Sequence, residues 1–221
     1  MRIVAVLNQK GGVGKSNVVM NLAAVTADHS RVLVVDTDHL QRTASDWAET
    51  AEKNERPLPF DFTDEGDPAL LARMREAGAY DTIFVDTPGS LYESDLLAAV
   101  LDSADFVVLP MEPQPASVKP ILRTIKSFVE PRNLPYRVLL SRVKRDAAGE
   151  RRRDDAIAGL DAMGIPRFNS VIRDYVAHSD APMTGDVVTT YPTTRNTSLA
   201  IDDFKSLALE MTTIWANGGS K

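Results

Sequence analysis

Short, uninterrupted apolar runs alternate along the chain with longer segments in which apolar residues recur at helical spacing. Uninterrupted runs rich in β-branched residues are typical of parallel strands that helices cover on both faces. The predicted strands are Ile3–Leu7, Val32–Asp36, Thr82–Asp86, Phe106–Leu109, Arg137–Leu140 and Ser170–Ile172. The predicted helices are Gly14–Ala27, Asp67–Ala77, Ser117–Val129, Gly149–Met163 and Ser198–Trp215. The alternation predicts an α/β fold with a mostly parallel sheet flanked by helices.

The order of these segments indicates one domain over residues 1–221. The length of 221 residues lies between one and two average domains, but no linker or internal repeat divides the segments. One stretch, Pro110–Pro115, can continue neither a helix nor a central strand. It directly follows a predicted strand, and in an open α/β sheet that edge binds ligands. We therefore expect Pro110–Pro115 to border a binding site.

The composition is that of an ordinary globular protein, with 43% hydrophobic and 25% charged residues. The chain has no cysteine, which excludes disulfides, thiolate metal sites and cysteine nucleophiles. No apolar stretch approaches the roughly 20 residues of a membrane-spanning helix, and the N-terminus does not have the pattern of a secretory signal. We expect a soluble, cytoplasmic protein.

A glycine-rich segment follows the first predicted strand and precedes the first predicted helix. It runs Lys10–Ser16 and reads Lys-Gly-Gly-Val-Gly-Lys-Ser. A strand, such a loop and a helix in this order aim backbone N–H groups at phosphate oxygens, so an incidental glycine-rich turn is a poor alternative. In such a loop Lys15 would reach the terminal phosphates and the Ser16 hydroxyl would bind Mg²⁺. The sequence therefore predicts a nucleotide site of the P-loop type.

This loop resembles the deviant Walker A motif of the ParA/MinD family of ATPases. Gln9 stands where the general P-loop pattern has glycine, and the extra lysine, Lys10 here, is the family's signature. The resemblance implies a P-loop NTPase fold, ATP and Mg²⁺ as cofactors, and a homodimer that sandwiches two ATP molecules. Lys10 would then reach the phosphates held by the other subunit. The implied nucleotide-binding residues are Lys10, Gly11, Gly12, Val13, Gly14, Lys15, Ser16, Asn17 and Arg142.

Two aspartates, Asp36 and Asp38, lie where the second predicted strand ends. Alternation in an extended chain places them on the same side, where one can hold Mg²⁺ through water while the other positions the attacking water. The segment resembles the family motif Asp-x-Asp-Pro-Gln, which implies that Asp38 orients water and Asp36 supports the metal. His39-Leu40 replace the single proline before Gln41. Two aspartates that cap a turn are the alternative interpretation.

A third predicted strand also ends in an aspartate, Asp86. It resembles a Walker B segment, which implies that Asp86 contacts the water shell of Mg²⁺ and that Thr87–Ser90 responds to the γ-phosphate. With Ser16 and Asp36, Asp86 completes the predicted metal group, and the predicted catalytic residues are Lys10, Lys15 and Asp38. Arg142 follows a later strand, where relatives place residues around the adenine; a surface arginine is the alternative.

Basic residues cluster locally although the formal net charge is −6. The candidate DNA contacts are Arg145, Arg151, Arg152 and Arg153. Asp154 and Asp155 follow them, so a solvated charged helix face is the alternative. A dimer would present each patch twice, which adds phosphate contacts. The C-terminal segment lacks the basic face of a membrane-surface helix, and its helical apolar spacing indicates core packing. We expect no membrane binding.

The resemblance favours a ParA-type ATPase for plasmid, prophage or chromosome partition. It implies nonspecific DNA binding, association with the nucleoid when ATP is bound, and a ParB-like or adaptor protein that stimulates hydrolysis. Met1 lies two residues before the first strand, so we expect no N-terminal helix-turn-helix domain. The alternatives are an ATPase that positions a protein cargo such as a microcompartment or a chemoreceptor cluster, a MinD-like membrane-associated ATPase, and an ATP-gated module with little hydrolysis.

Overall fold

Parallel strands form one continuous sheet in the computed structural model, which describes residues 1–64, 67, 69–89 and 94–218. The strands are β1 (Arg2–Val6), β2 (Val32–Asp36), β3 (Asp61–Thr63), β4 (Thr82–Asp86), β5 (Phe106–Met111), β6 (Tyr136–Val143) and β7 (Arg167–Arg173). Within the described residues they form a seven-stranded sheet in the order β3-β2-β4-β1-β5-β6-β7. Every described pairing is parallel. The predicted α/β class and the mostly parallel sheet are confirmed.

Helices cover both faces of the sheet. They are α1 (Lys15–Thr26), α2 (Thr43–Lys53), α3 (Ala69–Ala77), α4 (Ser94–Ser103), α5 (Pro115–Thr124), α6 (Ala147–Ala162), α7 (Ala177–Thr184) and α8 (Arg195–Ala216). One core packs α1, α2, α7 and α8 on the sheet, and the other packs α3, α4, α5 and α6. Alternate residues of β1 enter opposite cores, Val4 into the first and Ile3 into the second. Both faces of the sheet are buried at its centre, which explains why β1, β2, β4 and β5 are largely apolar.

The structure extends the predicted elements and adds others. Strand β3 and helices α2, α4 and α7 were not predicted, and the predicted strand Ser170–Ile172 is part of the longer β7. The predicted helix Ser117–Val129 begins at Pro115 as α5 and continues beyond Thr124 as a π-helical turn over Ile125–Val129. In the described part of the chain, no helix is both long and apolar enough to span a membrane.

The carboxyl ends of the central strands bring the predicted site residues to one edge of the sheet. Strand β1 lies between β4 and β5, so the chain order reverses beside it. In open α/β sheets ligands bind at such a reversal. The glycine-rich loop leaves β1 there, the aspartates leave β2 and β4, and Pro110–Pro115 begins at the end of β5.

Candidate nucleotide site

The glycine-rich loop has the backbone conformation of an anion-binding turn. Gly12 and Gly14 take positive φ angles of 77° and 89°, which side chains other than hydrogen disfavour. Gly14 precedes α1 as its N-cap, and no side chain caps that helix. The first amides of α1 are therefore available to an anion. Val13 is buried, and its carbonyl accepts a hydrogen bond of 2.9 Å from the Ser141 hydroxyl.

Asn8 anchors the beginning of the loop, a role that the sequence analysis missed. Its side chain is buried and donates to the carbonyl of Pro110 over 2.7 Å. Its Oδ1 accepts from the backbone N–H of Lys10 over 2.8 Å. A polar residue directly after an uninterrupted apolar strand was the available signal. Asn8 thus joins the loop to the end of β5 and fixes the direction in which Lys10 leaves the sheet.

Asp86 is the most perturbed acid of the site. Burial raises the pKa of its carboxyl to about 7, against a hydrogen bond from Ser16 that lowers the pKa, and Asp36 raises the pKa further. Its Oδ1 is buried and has no hydrogen-bond partner among the described residues. A buried carboxylate oxygen without a partner is costly unless a donor or a cation approaches it. Asp86 is therefore suited to contact the water shell of a cation, and Ser16 is suited to coordinate it.

The donor set suits Mg²⁺ better than a metal held by protein ligands alone. Among the described residues, no group of three or more His, Cys, Asp or Glu side chains could hold a metal ion. Mg²⁺ needs only one or two protein oxygens when phosphates and water complete its shell. Beside these groups, a Cβ at Gly89 would lie 3.2 Å from Lys15 Nζ. The loop after β4 therefore passes close to the Lys15 ammonium; Ser90 lies outside the described residues.

Asp36 organises the segment that carries Asp38. Its Oδ2 accepts hydrogen bonds from the Ser45 backbone N–H and hydroxyl, at 2.9 and 2.7 Å, and its Oδ1 accepts from the Asp38 N–H at 2.9 Å. Asp38 Oδ1 in turn accepts from the Gln41 N–H at 3.1 Å. The turn-capping bonds of the alternative interpretation are therefore present. The roles of Asp36 toward the metal and of Asp38 toward water stay predictions.

An uncommon backbone conformation directs the Arg142 side chain onto the glycine-rich loop. Its φ of 53° is rare for a residue with a side chain and marks a constrained site. Its Nη1 donates to the Gly12 carbonyl over 2.6 Å and lies 3.5 Å from Glu112 Oε1. Lys10 Nζ lies 3.3 Å from Glu112 Oε2 and 3.2 Å from the Ser117 hydroxyl. The contact of Arg142 with the base stays a prediction. Glu112 lies within Pro110–Pro115, the stretch expected to border the site, although the sequence did not single it out.

A small cleft beside the loop lies between α1, β6 and α7. It is lined in part by Gly14, Asn17, Arg142 and His178, and Asn17 Nδ2 donates to the His178 carbonyl over 3.1 Å. Burial lowers the pKa of His178 to about 4, although the nearby Asp203 partly raises it. His178 is therefore neutral at physiological pH. Asn17 connects the first turn of α1 to α7 by this bond, and its predicted contact with nucleotide stays a prediction.

The predicted DNA contacts lie around the beginning of α6. Arg151 and Arg152 are exposed, whereas Arg153 forms an ion pair of 2.8 Å with Asp154. The Arg145 guanidinium lies 4.6 Å from the centre of the Tyr175 ring, a cation–π distance. The structure therefore exposes Arg145, Arg151 and Arg152 but partly neutralises Arg153. DNA contact by these residues stays a prediction.

A parallel sheet with a glycine-rich loop before α1 and two aspartate-ended strands beside it defines a P-loop nucleotide-binding protein. Residues 4–188 match the model of the CobQ/CobB/MinD/ParA nucleotide binding domain. The chain belongs to this family, which confirms the resemblance to ParA/MinD ATPases.

A relative in sequence and two similar solved structures have names that state different cellular tasks. The chain is 41% identical over 214 residues to "Maintenance of carboxysome distribution protein A" from Gloeobacter kilaueensis, covering 97% of this chain and 95% of that protein. A plasmid partition protein from Borrelia burgdorferi bound to AMPPNP superposes with a TM-score of 0.70 at 19% identity, covering 96% and 98%. The septum site-determining protein MinD from Pyrococcus horikoshii, complexed with Mg-ADP, gives 0.71 at 21% identity, covering 100% and 99%. The structural likenesses support the fold alone.

Proposed function

We propose that this chain is a Mg²⁺-dependent ATPase that positions a protein-built cargo such as a microcompartment. The main support is the 41% identity, over 97% of the chain, to a carboxysome distribution protein. The sequence analysis favoured DNA partition and held cargo positioning as the alternative. The relatives support the alternative better, because the likeness to a plasmid partition protein is structural and only 19% identical, and a chromosome-partitioning ATPase that is 33% identical matches only 51% of this chain.

The residues at the carboxyl edge of the sheet supply the chemistry of this proposal. The loop amides and the N-terminus of α1 bind the phosphates, and Lys15 offsets their charge. Ser16 and Asp86 would hold Mg²⁺, which when bound neutralises charge on the phosphate oxygens. Asp38 orients the attacking water from a segment that Asp36 and Ser45 hold in place. Hydrolysis is slow until a partner completes this arrangement, as suits an ATPase used as a timer.

Self-association, DNA and an adaptor complete the proposal. Two chains close face to face on two ATP molecules, with Lys10 serving the other subunit, and the dimer binds nonspecific DNA as its track. An adaptor protein on the cargo stimulates hydrolysis. The buried Leu207 and Met211 of α8 argue against a membrane-binding alternative, because an interfacial helix must expose its apolar face.

Binding to duplex DNA at low salt, with ATP, ADP and no nucleotide, tests the track. We expect binding only with ATP, and weaker binding when Arg151 and Arg152 are both replaced by alanine. The double variant Lys53→Ala/Lys126→Ala is the matched control, because it removes the same charge from exposed positions elsewhere. Equal loss of DNA affinity in both variants would show that α6 is not part of the DNA-binding surface. Equal DNA binding in all three nucleotide states would show that ATP does not control it.

Deletion of the gene for this chain in its host cell tests which cargo the protein positions. We expect fluorescently labelled microcompartments to cluster while plasmids and chromosomes are inherited normally. Evenly spaced compartments together with plasmid loss would favour the partition alternative instead. Complementation with Lys15→Ala should fail to restore spacing, because that variant lacks the lysine that the phosphates need.

A further inference from the structure

The Glu112 carboxylate interacts with two cationic side chains at the glycine-rich loop, those of Lys10 and Arg142. Its Oε2 lies 3.3 Å from Lys10 Nζ, and its Oε1 lies 3.5 Å from Arg142 Nη1. The Glu112 side chain is 17% exposed, whereas those of Lys10 and Arg142 are 34% and 54% exposed. The acid is therefore the least hydrated member of the group, and its charge is screened less than that of a surface residue.

The surrounding backbone holds this arrangement in place from several elements. Lys10 begins the loop and is fixed through Asn8, whose amide donates to the Pro110 carbonyl at the end of β5. Arg142 is directed by its left-handed backbone, and it also donates to the Gly12 carbonyl. Glu112 follows Met111, the last residue of β5. Three strand ends thus meet at one carboxylate, and each cation there would otherwise be available to an anionic ligand.

We infer that Glu112 is a specificity-determining residue: it competes with nucleotide phosphates for Lys10 and Arg142, and so weakens the binding of ATP more than the binding of ADP. This inference rests on the proposed ATP site. A ligand with more phosphate charge displaces more of the Glu112 interactions, whereas a ligand with less charge leaves them intact. Exposed ion pairs each correspond to up to about fivefold in an equilibrium constant. Two pairs on one carboxylate can therefore shift affinity measurably.

The test is the dissociation constant of Mg-ATP and of Mg-ADP for Glu112→Gln, measured by calorimetry beside the wild type. We expect ATP to bind about three- to tenfold more tightly to the variant at low salt, and ADP to gain less. Asp174→Asn is the matched control. Asp174 and Glu112 line one polar cleft, but Asp174 pairs with Lys144 at 3.0 Å. It makes the same charge change without touching Lys10 or Arg142, and we expect less than about twofold change.

Two further variants separate competition from a general structural effect. In a Lys10→Gln background, Glu112→Gln should change ATP affinity less than it does alone, since one of its two cations is gone. Glu112→Asp keeps the charge on a shorter side chain and should lie between the wild type and Glu112→Gln. It also carries the test if Glu112→Gln does not fold.

The outcomes distinguish this inference from the proposed function. Unchanged or weaker ATP binding in Glu112→Gln, or an equal change in Asp174→Asn, would overturn the competition by Glu112 while leaving the ATPase intact. A wild-type chain that binds neither nucleotide would instead overturn the proposed function.

Discussion

Removal of the Ser45 hydroxyl should destabilise the protein and slow hydrolysis together. Ser45 is buried, and its hydroxyl donates to Asp36 Oδ2 over 2.7 Å, while Asp36 itself is buried. A hydrogen bond to a charged group contributes about 1.5–3 kcal/mol. Ser45→Ala keeps the backbone bond of 2.9 Å to the same oxygen, so the loss should not exceed that range. In a domain of this length it lowers the melting temperature by roughly 3–12 °C.

The same change should reach the chemistry through Asp38. Asp36 Oδ1 accepts from the Asp38 N–H, so a looser Asp36 displaces the group that we expect to orient water. We predict a lower rate of phosphate release with little change in ATP affinity, because no phosphate-binding residue is altered. Urea unfolding and steady-state phosphate release measure the two effects.

Thr50→Val is the matched control for Ser45→Ala. Thr50 lies on the same helix, and its hydroxyl donates over 2.7 Å to the neutral Asp46 carbonyl at an exposed position. We expect a change within about 0.5 kcal/mol and a normal rate. If Ser45→Ala behaved like Thr50→Val in both assays, the assignment of Asp36 as the organiser of this segment would be refuted.

Three other perturbations have definite expected outcomes. The pKa of His178 is about 4 in the folded chain rather than 6.5, so the unfolded chain binds the proton first as the pH falls. The free energy of unfolding should therefore have its full value above pH 6.5 and fall by up to about 3 kcal/mol toward pH 4. His178→Phe should flatten this pH dependence, measured by urea unfolding. Gly185→Ala places a Cβ 2.3 Å from Ala51 Cα at a φ of +79° and should cost about 2–4 kcal/mol, whereas Gly159→Ala on open helix surface should cost nothing. ATP with Mg²⁺ should raise the melting temperature of the protein more than ATP alone, and Asp86→Asn should remove this difference, since an amide lacks the charge that holds the cation's water shell. An undiminished Mg²⁺ effect in the variant would exclude Asp86 from the metal site.

The central strands and the phosphate loop could be predicted because their signals are local. Strands β2 and β4 end in the aspartates Asp36 and Asp86, and the apolar run of β1 continues through Leu7 to the polar Asn8. The turn from β1 into α1 needs glycine where φ is positive, and Gly12 and Gly14 supply it. Parallel strands bring their carboxyl ends to one edge, so three separate motifs predicted one site.

The missed elements depend on contacts between distant parts of the chain. Strand β3 has three residues and a partly exposed pattern that resembles a loop. Helix α2 is largely polar, and it is held by Ser45 on Asp36 and by Trp47 Nε1, which donates over 2.8 Å to the carbonyl of Asp186. Glu112 meets Lys10 across 102 positions of sequence. No periodicity in a single segment encodes such pairings, so the sequence could not assign their partners.

The molar mass in solution, measured by light scattering with ATP, ADP and no nucleotide, tests most directly whether ATP at this loop controls the protein. We predict a dimer only with Mg-ATP, no dimer for Lys15→Ala in any state, and a persistent dimer for Asp38→Ala, which keeps the phosphate loop but lacks the carboxylate that orients water. A mass that is the same in all nucleotide states and in both variants would contradict the account.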